Sequence, residues 1–155
     1  MDKGKVQFDH MLEALMDFVD AINASHAGGV RFGSETPLYP AEIHTVAAIG
    51  RSRGTSLTKL AEELAISKPT LSERIRKLVA KGFVEKRTNA EDRKAVTLWL
   101  TPEGETADQH HSLHHEKMYA LFCRHFGEDS AQKIALFTRT FEELTRFGKD
   151  AAEHD

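Results

Sequence analysis

The chain has 155 residues, 40% hydrophobic and 29% charged, which is typical of a globular protein with one domain or one domain plus a helical arm. A net charge of −3 gives no global basic field that would suggest nucleic acid, and a single cysteine excludes an internal disulfide. No apolar run approaches the length of a membrane span, and no signal-peptide segment follows residues 1–5, so we expect a cytoplasmic protein without membrane contact. Nine residues are histidines.

The first half of the chain is predicted to be helical. Apolar residues recur every three and four positions over 6–22, as in a helix with one broad apolar stripe, and two glycines at 28–29 permit a loop after it. Pro40 and Ser67 mark helix starts, because proline is tolerated in a first turn and serine caps it. The predicted elements are a helix over 6–22, a connection over 30–37, a helix over about 38–50, a turn over 51–55, a short helix over 56–64 and a fourth helix that ends at 81.

Beyond Gly82, which stops the fourth helix, the pattern changes. Strand-like runs over 83–87 and 95–100 flank a polar turn at 88–92 and predict a β-hairpin. Thr101, Pro102 and Glu103 supply the cap, the proline and the acidic first turn of a long helix that runs to about 126. Gly127 breaks this helix, and a last apolar-striped helix follows.

Residues 57–81 have the spacing of a helix-turn-helix, two short helices joined by a turn of three to four residues. The second helix of such a unit lies in the DNA major groove and contacts phosphates and base edges. Its shared core is assigned to Leu60, Ala61, Leu64, Ile66, Ile75 and Leu78. The DNA contacts are assigned to Ser67, Lys68, Pro69, Thr70, Ser72, Glu73, Arg74, Arg76 and Lys77, and Leu71 is counted among the residues this helix could expose.

The charge of the chain is unevenly distributed. Residues 68–87 contain seven basic and two acidic side chains, which gives this segment a charge of +5. The rest of the chain therefore carries −8. A local basic patch is expected in a protein that touches DNA with one face. The hairpin would form a wing with Arg87 on a strand and Arg93 and Lys94 near the tip, suited to the narrow minor groove. The alternative is a basic, solvated corner of an unrelated helical protein.

Several motifs share one resemblance. They are Leu60-Ala61-x-x-Leu64-x-Ile66-Ser67, Thr70, Ile75, Leu78, Lys81-Gly82-Phe83-Val84, Glu91-Asp92-Arg93-Lys94 and Leu100-Thr101-Pro102-x-Gly104. Together they resemble the MarR family of bacterial winged-helix regulators over nearly the whole chain. The resemblance implies a mainly α fold with a small β-hairpin wing (α+β), a winged helix-turn-helix over 37–101 and a helical dimerisation region over 1–36 and 102–155.

Dimerisation agrees with the sequence pattern. The end helices carry apolar stripes that a single small domain has too little surface to cover. The resemblance implies a homodimer that presents two recognition helices to half-sites about 34 Å apart on a pseudo-palindromic double-stranded operator.

Four histidines early in the fifth helix form two pairs four residues apart. These are His110 with His114 and His111 with His115, and residues at that spacing share a helix face. A His-x-x-x-His pair can chelate one metal ion, but tight binding needs further ligands from elsewhere in the fold. The alternative is that these histidines are solvated or lie in a dimer interface. His10, His125 and His154 are expected to be surface or core residues.

In the positions of its histidines, the sequence also resembles the zinc-responsive AdcR/ZitR branch of the MarR family. That resemblance implies Zn²⁺ ligands at His44, His111 and His115, with His26 where the branch has a glutamate, at the hinge between dimer base and DNA-binding lobe. Zinc accepts either ligand type. The branch's second site is not expected, because Phe32, Ile43 and His110 stand at its positions. A weaker secondary site could use His110, His114 and Glu42, with Glu35 nearby.

Three functions follow as hypotheses. The leading one is a transcriptional repressor whose operator affinity is controlled by zinc at the hinge. The second is a MarR-type repressor released from DNA by a small phenolic or anionic ligand at the same hinge, contacted by His44 and Arg31. A zinc hydrolase is disfavoured, because the chain has no His-Glu-x-x-His motif and four protein ligands leave no open position for water. Cys123 is expected to be an inert packed thiol.

Overall fold

A computed structural model describes residues 2–88 and 96–152. These residues form six α-helices, a short 3₁₀ turn and a small antiparallel sheet. The elements are α1 (Lys3–His26), α2 (Pro40–Arg51), β1 (Thr55–Ser56), α3 (Leu57–Glu63), α4 (Lys68–Ala80), β2 (Val84–Thr88), β3 (Val96–Leu100), α5 (Pro102–Phe126), the 3₁₀ turn (Gly127–Asp129) and α6 (Ser130–Ala152). The mainly helical fold with a small wing sheet is the predicted one.

The chain divides into two compact units, residues 1–111 and 112–155, and α5 is continuous through the division. The first unit holds a core formed by α2, α3, α4, the sheet and the start of α5. The predicted winged-helix domain over 37–101 and dimerisation region over 1–36 and 102–155 stay predictions.

The largest fully buried side chains of the core are Phe83, Leu38, Ile49, Leu60, Leu71, Ile75, Leu78 and Leu98.

The helix-turn-helix core contains the residues predicted for it. Leu60, Ala61, Ile75 and Leu78 are buried, and Leu64 and Ile66 pack against them half-buried. Leu71 is completely buried, so the expectation that it faces DNA is wrong. Its spacing of four from Ile75 and seven from Leu78 places it on the apolar face of α4.

The wing contains one strand more than predicted. The strands pair in the order β1-β3-β2, with Val84 opposite Leu100 and Thr88 opposite Val96 in the expected hairpin. The added strand, β1, pairs Thr55 with Leu98 across the other edge of β3. Two residues are too few to show an alternating pattern, so the sequence predicted only a turn there. Arg93 and Lys94 lie outside the described residues.

The start of α2 and the end of α4 are joined by a buried ion pair. Lys81, the C-cap of α4, donates from Nζ to both carboxylate oxygens of Glu42, at 2.9 and 2.7 Å, and to the Pro37 carbonyl at 3.2 Å. Glu42 also accepts from the Tyr39 backbone N–H at 3.0 Å, which completes the cap of α2. Further along α2, Thr45 accepts a hydrogen bond from Arg74 of α4 at 3.2 Å. Two side-chain links therefore hold α4 against α2.

Helix α5 begins in close contact with the end of the wing. The Thr101 hydroxyl donates to the Gly82 carbonyl at 2.6 Å and accepts from the Gly104 N–H at 3.1 Å. A Cβ at Gly104 would overlap the carbonyl oxygen of Phe83. The Thr-Pro-x-Gly sequence thus fastens the start of α5 to the sheet.

The long end helices leave apolar side chains exposed. Within the described chain no residue of α1 is buried, and Phe8, Met16 and Phe18 are each more than half exposed. On α6, Phe141 and Phe147 are also exposed. Among the described residues, no helix is long and apolar enough to span a membrane.

Substitution of Gly104 by alanine tests the contact between α5 and the wing. We expect Gly104→Ala to lower the free energy of unfolding by about 2 kcal/mol, because the added methyl group collides with backbone that cannot turn away. Gly148→Ala in α6 is the matched control. Nothing lies within 4 Å of a Cβ there, so that variant should gain up to about 1 kcal/mol. Equal stabilities in urea unfolding would contradict this packing.

The ion pair between Lys81 and Glu42 is tested by a double-mutant cycle. Lys81→Met leaves a buried carboxylate without its cation and should cost about 2 kcal/mol of unfolding free energy, less than for a fully buried pair because Lys81 is partly exposed. Adding Glu42→Gln, which can still accept from Tyr39, should recover at least half of that loss. Additive losses in thermal unfolding would show that the pair contributes no coupling.

Candidate metal centre and candidate nucleic-acid interface

Two of the predicted metal ligands meet between α2 and the start of α5. The ring centroids of His44 and His111 lie 5.4 Å apart, with the ring planes inclined by 55°. His111 is buried at 6% exposure, and the edge of Phe32 meets its ring at 5.5 Å between centroids. His44 is exposed. One imidazole of the pair is therefore held in position by packing, and the other is open to solvent.

His115 joins this pair because it follows His111 by one helical turn on α5. The candidate ligand atoms of His44, His111 and His115 all lie within 4.8 Å of one another. In tetrahedral zinc with Zn–N bonds of about 2.0–2.1 Å, ligand nitrogens are about 3.3 Å apart. Small side-chain movements would give that spacing. Three neutral imidazoles are also a donor set that zinc accepts, so these residues fit a zinc ion.

His26, the predicted fourth ligand, lies outside this group of three in the described chain. It is half-buried at the end of α1, where its Nδ1 contacts the carbonyl oxygen of Ile22 at 2.9 Å and the Ser25 hydroxyl at 3.1 Å. A hydrogen bond from Nδ1–H to a carbonyl leaves Nε2 as the nitrogen that could bind a metal. The role of His26 as a ligand stays a prediction.

The predicted secondary site is not assembled around Glu42. Both oxygens of that carboxylate accept from Lys81, and burial closes it to solvent. Glu42 is therefore a structural residue, and assigning it to a metal was wrong. The sequence did not reveal the cap of α2, because the N-cap residue is Tyr39 instead of serine or threonine. His110 lies against Gly33, and the ring of His114 lies 6.4 Å from that of His115.

The recognition helix α4 begins as the sequence predicts. Ser67 is its N-cap and accepts from the Thr70 N–H at 3.3 Å, and Pro69 stands in the first turn. At the other end, Gly82 adopts φ +83°, the left-handed conformation that glycine permits after a helix. The predicted contact residues that are exposed are Ser67, Lys68, Pro69, Thr70, Ser72, Glu73, Arg76 and Lys77, whereas Arg74 is half-buried by its bond to Thr45.

Glu73 links two of the predicted phosphate-binding cations. It accepts from Arg76 at 2.8 and 2.6 Å and lies 3.8 Å from Lys77. The hydrogen bond from Arg76 holds the pKa of Glu73 below its usual range, and the same bond raises the pKa of Arg76. All three side chains are more than half exposed, so this pairing adds little stability and can give way to a competing anion.

The wing contributes Arg87 and a residue that the sequence did not single out. The Arg87 guanidinium carbon lies 4.6 Å from the ring centroid of Trp99, and Nε donates to Glu85 at 2.8 Å. Lone tryptophans are common in cores, so only the strand register could have revealed that Trp99 lies beside Arg87. A further exposed cation, Arg87, thus lies on β2.

Comparison with known sequences gives one family. Residues 38–96 match the MarR family. The uncharacterized HTH-type transcriptional regulator YhjH of Bacillus subtilis (strain 168) is 29% identical over 74% of the chain and 66% of its own length. The HTH-type transcriptional regulator BilQ of Clostridium symbiosum (strain WAL-14163) is 33% identical over 48% of the chain and 52% of its own length. The chain thus spans less than two thirds of the length of each of these two relatives.

Solved structures share the fold. The MarR family transcription regulator SP03579 has a TM-score of 0.73 at 22% identity, covering 98% of this chain and 97% of that one. ZitR of Lactococcus lactis, a zinc-responsive MarR family member, has a TM-score of 0.60 at 19% identity over 87% and 99%. Staphylococcus aureus MarR in complex with salicylate and kanamycin has a TM-score of 0.67 at 16% identity over 92% and 95%. Residues 38–96 therefore match the MarR family, and the fold of the chain as a whole is shared with solved MarR family regulators.

Proposed function

We propose that the protein is a sequence-specific DNA-binding transcriptional repressor, working as a homodimer, whose affinity for its operator is controlled by Zn²⁺. The observation that carries the zinc proposal is the group of three imidazoles, one buried and two exposed, contributed by α2 and α5. The proposal has no enzymatic component, in agreement with relatives described as transcriptional regulators.

The DNA-binding part is supported by the exposed polar face of α4 and the local +5 charge around it. ZitR, which shares the fold, has been solved in complex with DNA. α4 would enter the major groove, and the wing would follow the backbone into the minor groove. The proposed contact residues are Ser67, Lys68, Pro69, Thr70, Ser72, Glu73, Arg74, Arg76, Lys77, Arg87, Arg93 and Lys94.

The homodimer is supported by the apolar side chains left exposed on the end helices. A stable monomer rarely exposes apolar stripes as long as those of α1 and α6. A second copy of the chain would cover these stripes and set two α4 helices about one helical turn of DNA apart.

The zinc site would use His44, His111 and His115, with His26 as the fourth ligand. Nε2 of His26 could reach the group if the loop at 28–29 adjusts, and Gly29 already has the left-handed φ of +69°. Bound zinc would supply a structural cross-link through neutral imidazoles. His44 and His111 would then hold α2 and the start of α5 at a fixed separation. A secondary site at His110 and His114 is proposed only as a weaker one, without Glu42.

The links between α2 and α4 supply a route from the histidines to DNA. Glu42 and Thr45, which bracket His44 on α2, hold Lys81 and Arg74 of the recognition helix. Fixing His44 therefore restricts α4 as well. A recognition helix with less freedom loses less entropy on binding DNA, so zinc should tighten binding. A coupling free energy of about 1–3 kcal/mol is typical between two such sites.

The test is DNA binding with and without zinc, using a duplex that the protein selects from a random-sequence library. We expect zinc to tighten binding about tenfold or more, as measured by fluorescence anisotropy. His44→Ala and His111→Ala should lose this response but keep metal-free binding. His10→Ala, at an exposed histidine on α1, is the matched control and should respond as the unaltered protein does. An unchanged affinity on zinc addition would refute zinc control.

The second candidate is control by a small phenolic or anionic ligand. Two observations favour it: the fold is shared with a protein solved with salicylate, and a groove between α2 and α4 is lined by Tyr39, Arg74 and Lys77. Glu42 and Glu73 also line that groove and oppose an anion. His44 and Arg31 are the contacts proposed from the sequence.

Salicylate added to the metal-stripped complex with DNA separates the two candidates. Under zinc control we expect no release of DNA at millimolar salicylate, because Glu42 and Glu73 line the groove between α2 and α4 and oppose an anion there. Calorimetric titration with zinc should meanwhile show binding that His111→Ala abolishes. Release by salicylate without any zinc response would favour the second candidate.

A further inference from the structure

Three polar side chains of the wing, Glu85, Arg87 and Thr97, lie around Trp99. The register sets Glu85 opposite Trp99 and Arg87 opposite Thr97. Side chains two residues apart on a strand point to the same face, so all four lie on one face of the β2–β3 ribbon. This cluster contains the chain's single tryptophan.

The indole of Trp99 is held from two sides. Its Nε1–H donates to the Thr97 hydroxyl at 2.9 Å, and that hydroxyl donates to the Arg87 carbonyl at 3.1 Å. At Gly54, with φ +75°, a Cβ would lie 2.8 Å from indole Cζ2, so only glycine leaves room for the ring. The ring is thus a fixed platform in a partly exposed position.

Arg87 lies over this platform with its guanidinium 4.6 Å from the ring centroid. A guanidinium stacked by its face keeps its N–H groups in the plane, where they point away from the ring. In the free protein one edge donates to Glu85, at 2.8 Å from Nε. A carboxylate and a DNA phosphate offer the same pair of acceptor oxygens to an arginine fork.

We infer that Trp99 is a positioning residue that holds the Arg87 guanidinium for a DNA phosphate, and that Glu85 occupies that guanidinium until the phosphate replaces it. The inference rests on the proposed DNA-binding function. The Arg87 side chain is 55% exposed and the Glu85 side chain 44%, so solvent screens their ion pair and exchange for a phosphate is feasible. Glu85 then lowers the affinity for DNA in general, and Trp99 raises it through Arg87 alone.

The test is a double-mutant cycle on a mixed-sequence duplex, because phosphate contacts do not depend on base sequence. Arg87→Ala should weaken binding about tenfold and reduce the slope of log K against log salt concentration by about 1. Trp99→Leu should weaken binding several-fold in the unaltered protein and have no effect in the Arg87→Ala background. Trp99→Phe, which keeps a smaller aromatic face, should fall between. Additive losses would overturn the positioning role.

Glu85→Gln tests the competition. It should tighten binding to the duplex about two- to fivefold at low salt. Glu105→Gln, which removes an exposed carboxylate paired with Arg53 on another part of the molecule, is the matched control for lost negative charge. Equal effects of the two variants, or weaker binding by Glu85→Gln, would overturn the competitive role.

Fluorescence of Trp99 gives an independent readout, since emission comes from this site alone. Binding of the duplex should change the emission of the unaltered protein and leave that of Arg87→Ala almost unchanged. Firm DNA binding with unchanged emission would overturn the inference and leave the proposed function standing. Absence of binding to any duplex by the unaltered protein would overturn both.

Discussion

The attachment of α4 to α2 is the constraint on which the rest of the structure depends. Apolar packing of Leu71 and Ile75 fixes which face of α4 is buried, and the two links from α2 fix its position along that face. A buried ion pair is weak evidence for stability, because desolvation offsets much of the attraction between its charges. Its value here is geometric, because it joins Lys81, the C-cap of α4, to Glu42 in the first turn of α2.

The same helix α2 carries His44, so the candidate metal centre and the recognition helix share one support. A change at His44 cannot move α2 without acting on Glu42 and Thr45, its neighbours on that helix. The proposed control therefore needs no distant pathway. It needs only that α2 be freer without a metal than with one, a difference in entropy that a cross-link to α5 supplies.

Sequence periodicity predicted the helices well, because each has an apolar stripe and its own start or stop signal. It failed where position depends on tertiary contact. Leu71 was counted among the residues exposed at the start of α4, although its spacing from Ile75 and Leu78 already placed it on the apolar face, where it is buried. Glu42 looked like a metal ligand because Lys81, its partner, is far away in sequence. The strand β1 is defined by pairing with β3 alone.

In the candidate site, too, helical periodicity predicted some of the arrangement, and the rest depends on tertiary contacts. Helical spacing alone predicted that His111 and His115 share a face, whereas His44 came from family resemblance and was then found beside His111. Trp99 could not be linked to Arg87 before the register of the hairpin was known.

The most direct measurement of the central claim is the affinity for zinc with and without saturating operator DNA, by competition with a chelator. Coupling between two binding sites is reciprocal. If the histidine group controls DNA binding, zinc must bind the DNA-bound dimer more tightly, by the same factor by which zinc tightens DNA binding. An identical zinc affinity in the free and DNA-bound protein would contradict the account.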